Sequence, residues 1–190
     1  MLTLILGGAR SGKSRFAESL IGARRAIYIA TARRDDDSEM DERIARHRRD
    51  RDRSWTTIEE PEDVPAAVRE ATPLEAPVLV DCATVWLSNL FARESHNPAP
   101  QQDDVVLNAA RDLAAASRTR EVIAVSNEIG AGGVPMTRVG RRFRDLHGWA
   151  NQILAAEAAD VVLVVAGLPL VIKGAPRKSD SRFWPTRVRG

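Results

Sequence analysis

Short apolar runs alternate along the chain with longer stretches in which apolar positions recur every three or four residues, the pattern of strands interleaved with helices. Leu2–Leu6 is the first run, long enough for a buried strand and too short for a helix. It breaks at Gly7-Gly8, after which Phe16, Ala17 and Leu20 share one helical face. Ala26–Ala30 predicts a second strand, followed by a polar turn over Ala32–Ser38 and a helical stretch from about Glu39 to Arg49. Trp55–Glu60 reads as another short strand, and Pro61–Glu70 as a helix with proline at its first position. Pro77–Val80 is apolar and closes on Asp81, Val85–Phe91 is helical or mixed, and residues 94–102 read as a surface loop. Asp103–Ser117 predicts a helix with Val106, Leu107, Ala110, Leu113 and Ala114 along one face. Glu121–Val125 is a strand running into Ser126-Asn127-Glu128 and a glycine-rich loop from Gly130 to Pro135. A long helix follows, from about Met136 or Thr137 to Ala159, with Phe143, Leu146, Ala150 and Leu154 as its stripe. Val161–Val165 and Leu168–Ile172 are the last strands, and the tail from Gly174 is basic and carries two prolines.

Strands alternating with helices predict an α/β domain over residues 1–174, with a mainly parallel central sheet and helices on both faces. The tail, 175–190, reads as a poorly ordered appendage. In such sheets ligands bind at the carboxyl ends of the strands. Thr31, Asp81 and Ser126–Glu128 all fall at predicted ends of this kind.

The break after the first strand carries chemistry. Gly7, four residues, then Gly12-Lys13-Ser14 is the Walker A spacing in its strand–loop–helix context. A loop that curls its amides around phosphate needs residues that reach positive φ and bring no side chain near the anion. The helix opening at Lys13 points its free amides and positive dipole end at the same place. Gly7, Gly8, Ala9, Arg10, Ser11, Gly12, Lys13 and Ser14 are therefore candidate nucleotide contacts, with Lys13 as the mobile charge for the β- and γ-phosphates and Ser14 as a hydroxyl ligand for Mg²⁺. Asp81, closing an apolar strand, fits the Walker B role of a carboxylate beside that metal, although aspartate is also a common strand terminator. The fold expected is that of a P-loop NTPase of RecA-like type.

Composition narrows the setting. The 190 residues are 44% apolar and 28% charged, in the range of a soluble globular protein, and no apolar run approaches a membrane span. Cys82 is the sole cysteine, which excludes an intrachain disulfide and a thiolate zinc cluster. The first residues lack the basic region of a signal peptide, so the chain reads as cytoplasmic. A net charge of +2 argues against a dedicated nucleic-acid binder.

Charge is nevertheless sorted along the segment before Trp55. Asp35–Asp37, Glu39, Asp41 and Glu42 precede Arg43, Arg46, Arg48 and Arg49, an order that a helix dipole alone would favour. Met40, Ile44 and His47 fall on one face, which suits a half-buried core histidine. Arg43 and Arg51 flank His47 at i−4 and i+4, which suits a neutral, nucleophilic imidazole beside bound phosphate. Spacing leaves both readings open. His96 in the polar stretch reads as solvated, and His147 as a core or surface histidine.

Six segments in order, GGARSGKSRFAE, YIAT, EMDERIARHRRDR followed by Trp55, LVDCATVWLSNL, SNEIGAGGVP and GWANQILAAEAADVVLVVAGLPL, resemble the bifunctional adenosylcobinamide kinase/adenosylcobinamide-phosphate guanylyltransferase family of cobalamin biosynthesis. The resemblance spans roughly residues 2–173; its phosphate loop is shared widely, whereas the histidine segment and the SNE-x-G-x-G-x-VP block are specific. It implies phosphorylation of adenosylcobinamide by ATP or GTP, then GMP transfer from GTP to adenosylcobinamide phosphate. It assigns the guanylylated histidine to His47 and nucleotide contacts to Thr31, Ala32, Arg33, Arg48, Arg49, Asp50, Arg51, Glu59 and Asp81, besides the phosphate loop. It also suggests a homotrimer. The alternatives are a guanylyltransferase without the kinase step, another small-molecule P-loop kinase, and a RecA-like DNA-dependent ATPase with Arg43–Arg53 on the phosphate backbone.

Overall fold

The computed structural model describes residues 1–33 and 55–175 of the chain. The predicted helix over 39–49, with His47, Arg48, Arg49, Asp50 and Arg51, lies outside the described residues, as does the tail from residue 176. Seven strands, β1 (Leu2–Gly7), β2 (Ile27–Ala30), β3 (Thr56–Glu59), β4 (Val78–Asp81), β5 (Val122–Asn127), β6 (Asp160–Val165) and β7 (Leu168–Lys173), form one sheet in the order β3-β2-β4-β5-β1-β6-β7. All neighbouring pairs are parallel except β6 with β7, an antiparallel hairpin.

Alternate residues of each strand point to opposite faces, and both faces of the central strands are covered, so those strands are apolar throughout. On one face Leu4, Ile29, Val80, Ala124 and Val161 meet the helices α2 (Val64–Glu70), α3 (Ala83–Arg93), α4 (Ala99–Ala116) and α5 (Arg138–Glu157) through Val68, Trp86, Leu113, Leu146 and Leu154. On the other, Ile5, Tyr28, Leu79, Val125 and Val162 meet Phe16, Ala17 and Leu20 of α1 (Lys13–Ile21). The α/β class, the mainly parallel sheet and helices on both faces agree with the sequence pattern.

Several boundaries move. Residues 94–102 are not a loop: a 3₁₀ turn at Glu94–His96 leads into α4, which begins at Ala99. Pro100 sits in the first helical turn, where its missing N–H costs nothing, so the prolines that signalled a loop instead start the helix. The helix expected over Pro61–Glu70 begins at Val64, because the Asp63 carboxylate accepts from the Ala66 amide at 3.1 Å and caps it. Pro65, not Pro61, occupies its first turn. The stretch read as helical or mixed is wholly helical over Ala83–Arg93.

The register matters for function. Gly7 lies opposite Asn127, Asp81 opposite Val125, and Ala30 opposite Asp81, so the carboxyl ends of β1, β5, β4 and β2 form one rim. The β6–β7 hairpin turns at Ala166 and Gly167, both with positive φ. It leaves Val165, Leu168, Leu170 and Ile172 more than half exposed.

Candidate active site

The phosphate loop leaves β1 at Gly7 and enters α1 at Lys13. Gly7 is confined on two sides: a Cβ there would fall 2.5 Å from Ser11 Oγ and 2.6 Å from the Val164 carbonyl oxygen. Arg10 (φ 56°) and Gly12 (φ 95°) are left-handed, and Gly12 N-caps α1 with no side-chain bond to the first-turn amides. Left-handed residues alternating with right-handed ones turn successive N–H groups to one side, which makes a cradle for an anion. No acidic residue enters the first turn, so the dipole end of α1 keeps its positive character. Lys13 is buried, and its Nζ folds back to donate to the Gly8 carbonyl at 3.2 Å. The outer wall of the loop is backbone from the hairpin turn, where Gly167 N–H donates to the Ser11 carbonyl at 2.8 Å.

Three strand ends flank this loop. The Glu128 N–H donates to the Gly7 carbonyl at 3.1 Å, which seats β5 beside it. Asp81, one strand further, accepts at Oδ2 from Tyr28 Oη at 3.1 Å, and no hydrogen bond to its Oδ1 occurs among the described residues. A hydroxyl on the first turn of α1 (Ser14) and a carboxylate at the end of β4 are both hard oxygen donors of the kind magnesium takes, so this donor set fits that ion. Thr31, fully buried at the end of β2, donates through Oγ1 to the Cys82 carbonyl and accepts there from the Cys82 N–H, both at 2.9 Å, so its hydroxyl is engaged within the protein.

Beyond Thr31 and Ala32 the chain is anchored by residues that the sequence pattern did not single out. Asn89 donates to the carbonyls of Thr31 at 2.8 Å and Pro61 at 3.0 Å. The Glu62 carboxylate accepts from Arg33 and from Arg93, the latter at 2.8 Å, and the Arg93 hydrogen bond first among these causes holds its pKa below the ordinary carboxylate value. Glu59 ends β3, four strand spacings from β1, or about 19 Å along the rim. It stands at the distal end of the site, far from the phosphate cradle. The structure thus brings Gly7–Ser14, Asp81 and the Thr31–Arg33 segment to one rim, with Glu59 at its far end.

Behind the rim lies a polar cluster inside an otherwise apolar layer. Thr84, Ser126, His147 and Asn151 are each at most 8% exposed. His147 Nε2 lies 3.0 Å from Thr84 Oγ1 and 3.3 Å from Ser126 Oγ, while Nδ1 is buried with no hydrogen-bond partner among the described residues. A buried N–H without an acceptor is costly, so the proton is assigned to Nε2, where acceptors exist. Ser126 Oγ donates to Asn151 Oδ1 at 2.7 Å. Histidine was read from sequence as a core or surface residue at 147, and it is a core one. The usable signal was the phase of α5, on which 147 and 151 share the buried side with Leu146, Ala150 and Leu154.

Burial lowers the His147 pKa from 6.5 to about 4. The unfolded chain binds this proton first as pH falls, so the residue withdraws stability from about pH 6.5 downward and does so increasingly until about pH 4. The pH 7.5 to pH 4.5 difference in urea-unfolding free energy should therefore be smaller in His147→Asn than in the parent, by about 2–3 kcal/mol. Equal pH dependence in the two proteins would show that this imidazole protonates freely in the fold.

A glycine-rich loop between the central strand and the first helix, a strand inserted between it and the Asp81 strand, and a parallel sheet with its rim at the strand ends define a nucleotide-binding protein of the P-loop class. Residues 3–172 match the family described as cobinamide kinase/cobinamide phosphate guanyltransferase (CobU), and the chain belongs to that family. It is 41% identical over 178 residues to the bifunctional adenosylcobalamin biosynthesis protein CobP of Pseudomonas aeruginosa, covering 93% of this chain and 99% of the relative. It is 41% and 39% identical over 182 residues to the bifunctional adenosylcobalamin biosynthesis proteins CobU of Salmonella typhimurium and Escherichia coli, in each case over 91% of this chain and all of the relative.

Proposed function

We propose that this protein phosphorylates adenosylcobinamide with ATP or GTP and then transfers GMP from GTP to adenosylcobinamide phosphate, through guanylylated His47. The observation that carries the reading is the family match over residues 3–172, which spans an intact phosphate cradle at Gly7–Ser14. In the first reaction the substrate hydroxyl attacks the γ-phosphorus, and the bond between the γ-phosphorus and the β,γ-bridging oxygen breaks. The cradle amides and Lys13 take up the charge on the transferring and departing phosphates. In the second, an imidazole nitrogen of His47 attacks the α-phosphorus of GTP, a P–N bond forms, and pyrophosphate departs. A phosphate oxygen of adenosylcobinamide phosphate then attacks the same phosphorus, the P–N bond breaks, and adenosyl-GDP-cobinamide is released.

Ser14 and Asp81 would hold Mg²⁺, which when bound screens the phosphate charge. Nucleotide contacts are assigned to Thr31–Arg33 on the rim, to Glu59 at the rim's distal end, and, from the family resemblance, to Arg48–Arg51. Asp81→Asn should slow turnover at least tenfold and move half-saturation to higher magnesium, since it removes the carboxylate charge facing the ion. An unchanged rate and an unchanged magnesium titration would reduce Asp81 to a strand terminator. Residues 1–174 form the catalytic domain and 175–190 a basic appendage. The enzyme works in the cytoplasm on small molecules, with no nucleic-acid partner and no membrane span. Its assembly is a homotrimer; the half-exposed Val165, Leu168, Leu170 and Ile172 of the hairpin are an apolar surface suited to a subunit contact.

The decisive experiment supplies adenosylcobinamide with ATP and Mg²⁺, then GTP, and follows the corrinoid by mass spectrometry. Successive gains of phosphate and of GMP are expected. GMP transfer to supplied adenosylcobinamide phosphate without phosphorylation of adenosylcobinamide would leave a guanylyltransferase alone, and neither product would overturn the reading.

A further inference from the structure

The buried polar cluster is not needed to fill the core: hydroxyl, amide and imidazole groups of the same volume stabilise less than apolar side chains, and each must find a partner. Its bonds converge on one peptide unit. Thr84 Oγ1 accepts from the Asn127 N–H at 2.7 Å, and Asn151 Nδ2 donates to the Asn127 carbonyl at 3.1 Å. Asn127 is the last residue of β5 and lies opposite Gly7, and the next amide, Glu128, is bonded to the Gly7 carbonyl. Thr84 is the second residue of α3 and follows Asp81 by three positions, so one hydroxyl links the carboxyl ends of β4 and β5. His147 closes the ring from α5, within hydrogen-bond reach of both Thr84 and Ser126.

We infer that Thr84, Ser126, His147 and Asn151 are positioning residues: their hydrogen-bonded ring clamps the Asn127 peptide and fixes the lateral placement of the Asp81 strand against the phosphate loop. Their hydrogen bonds run to one another and to the Asn127 peptide, so they act through the backbone of Asn127 and Glu128. The spacing they set is the one on which a metal-bearing carboxylate and a phosphate cradle depend, and misplacement of reacting groups by an ångström costs rate rather than ground-state affinity. The inference rests on the proposed function only for its activity readout.

Thr84→Val keeps the shape of the side chain and removes the hydroxyl; Thr84→Ser restores it. At a temperature below both melting transitions, Thr84→Val should lower kcat for adenosylcobinamide phosphorylation about tenfold with nucleotide KM within about twofold, and speed hydrogen exchange at the Glu128 amide. Thr84→Ser should return both toward the parent values. A ring with a structural role alone predicts a lower Tm with kcat and Glu128 exchange unchanged, and that result would overturn the inference. Should Thr84→Val fail to fold, Ser126→Ala decides, with kcat expected to fall at least about threefold and an unaltered kcat counting against the clamp. If the parent protein phosphorylates no adenosylcobinamide, the functional reading fails, while Glu128 exchange in Thr84→Val against Thr84→Ser still decides the clamp.

Discussion

Lys13→Ala should abolish phosphoryl and guanylyl transfer together while leaving the fold intact. Lys13 is the first residue of α1, and its ammonium lies over the loop on the Gly8 carbonyl, inside the cradle that the left-handed Arg10 and Gly12 shape. A phosphate entering the cradle meets this charge at once, and both reactions develop negative charge there: on the transferring γ-phosphoryl in one, on departing pyrophosphate in the other. Loss of such a donor costs about 3–4 kcal/mol in the barrier, or a factor of several hundred in kcat. Alanine is the better helix former, and loss of the hydrogen bond to Gly8 costs about 1 kcal/mol. Circular dichroism and Tm should be near the parent's. Transfer of GMP at the parent rate by Lys13→Ala would break the assumption that one loop serves both steps.

His47→Asn should separate the two activities. With GTP and Mg²⁺ the parent protein is expected to gain one GMP through a P–N bond, labile in acid because protonation of the imidazole makes it a good leaving group, and stable in base. The variant should show no adduct and no adenosyl-GDP-cobinamide, yet still phosphorylate adenosylcobinamide, a step that in the proposed mechanism does not pass through His47. Arg43→Ala and Arg51→Ala should slow adduct formation, most of all toward mild acid, where unprotonated imidazole becomes scarce. A core histidine at 47 makes the opposite prediction: Tm and both activities fall in parallel and intact-mass measurement finds no adduct. An adduct on His96 or His147 would assign the chemistry to another element; for His147 that would require reaching a side chain that is fully buried.

The phosphate loop was legible because its spacing is a local property: glycines, lysine and serine within eight residues, between a strand and a helix that periodicity predicts. The strand ends at Thr31, Asp81 and Ser126–Glu128 were legible for the same reason, since apolar runs stop there. What could not be read was pairing across distance. Nothing in the sequence tells that the Thr84 hydroxyl reaches the Asn127 amide 43 positions on, or that Glu62 gathers Arg33 and Arg93. Nor did local rules separate Pro61 from Pro65 as the helix starter; the Asp63 cap did, and capping outweighs the mere presence of proline. The role of His47 came from the family resemblance, since its helical phase and its arginine neighbours argued in opposite directions.

The contact between Gly167 and Ser11 runs from main chain to main chain. Through this bond the hairpin steadies the phosphate loop without drawing on the identity of its outward-facing side chains. Val165, Leu168, Leu170 and Ile172 can drift, enlarge or be redesigned to suit whatever packs on them, provided the turn at Ala166-Gly167 keeps its shape. One short turn thus separates two selective pressures: the outward face of the hairpin can evolve with its neighbours while the nucleotide cradle a few ångströms away stays as it is.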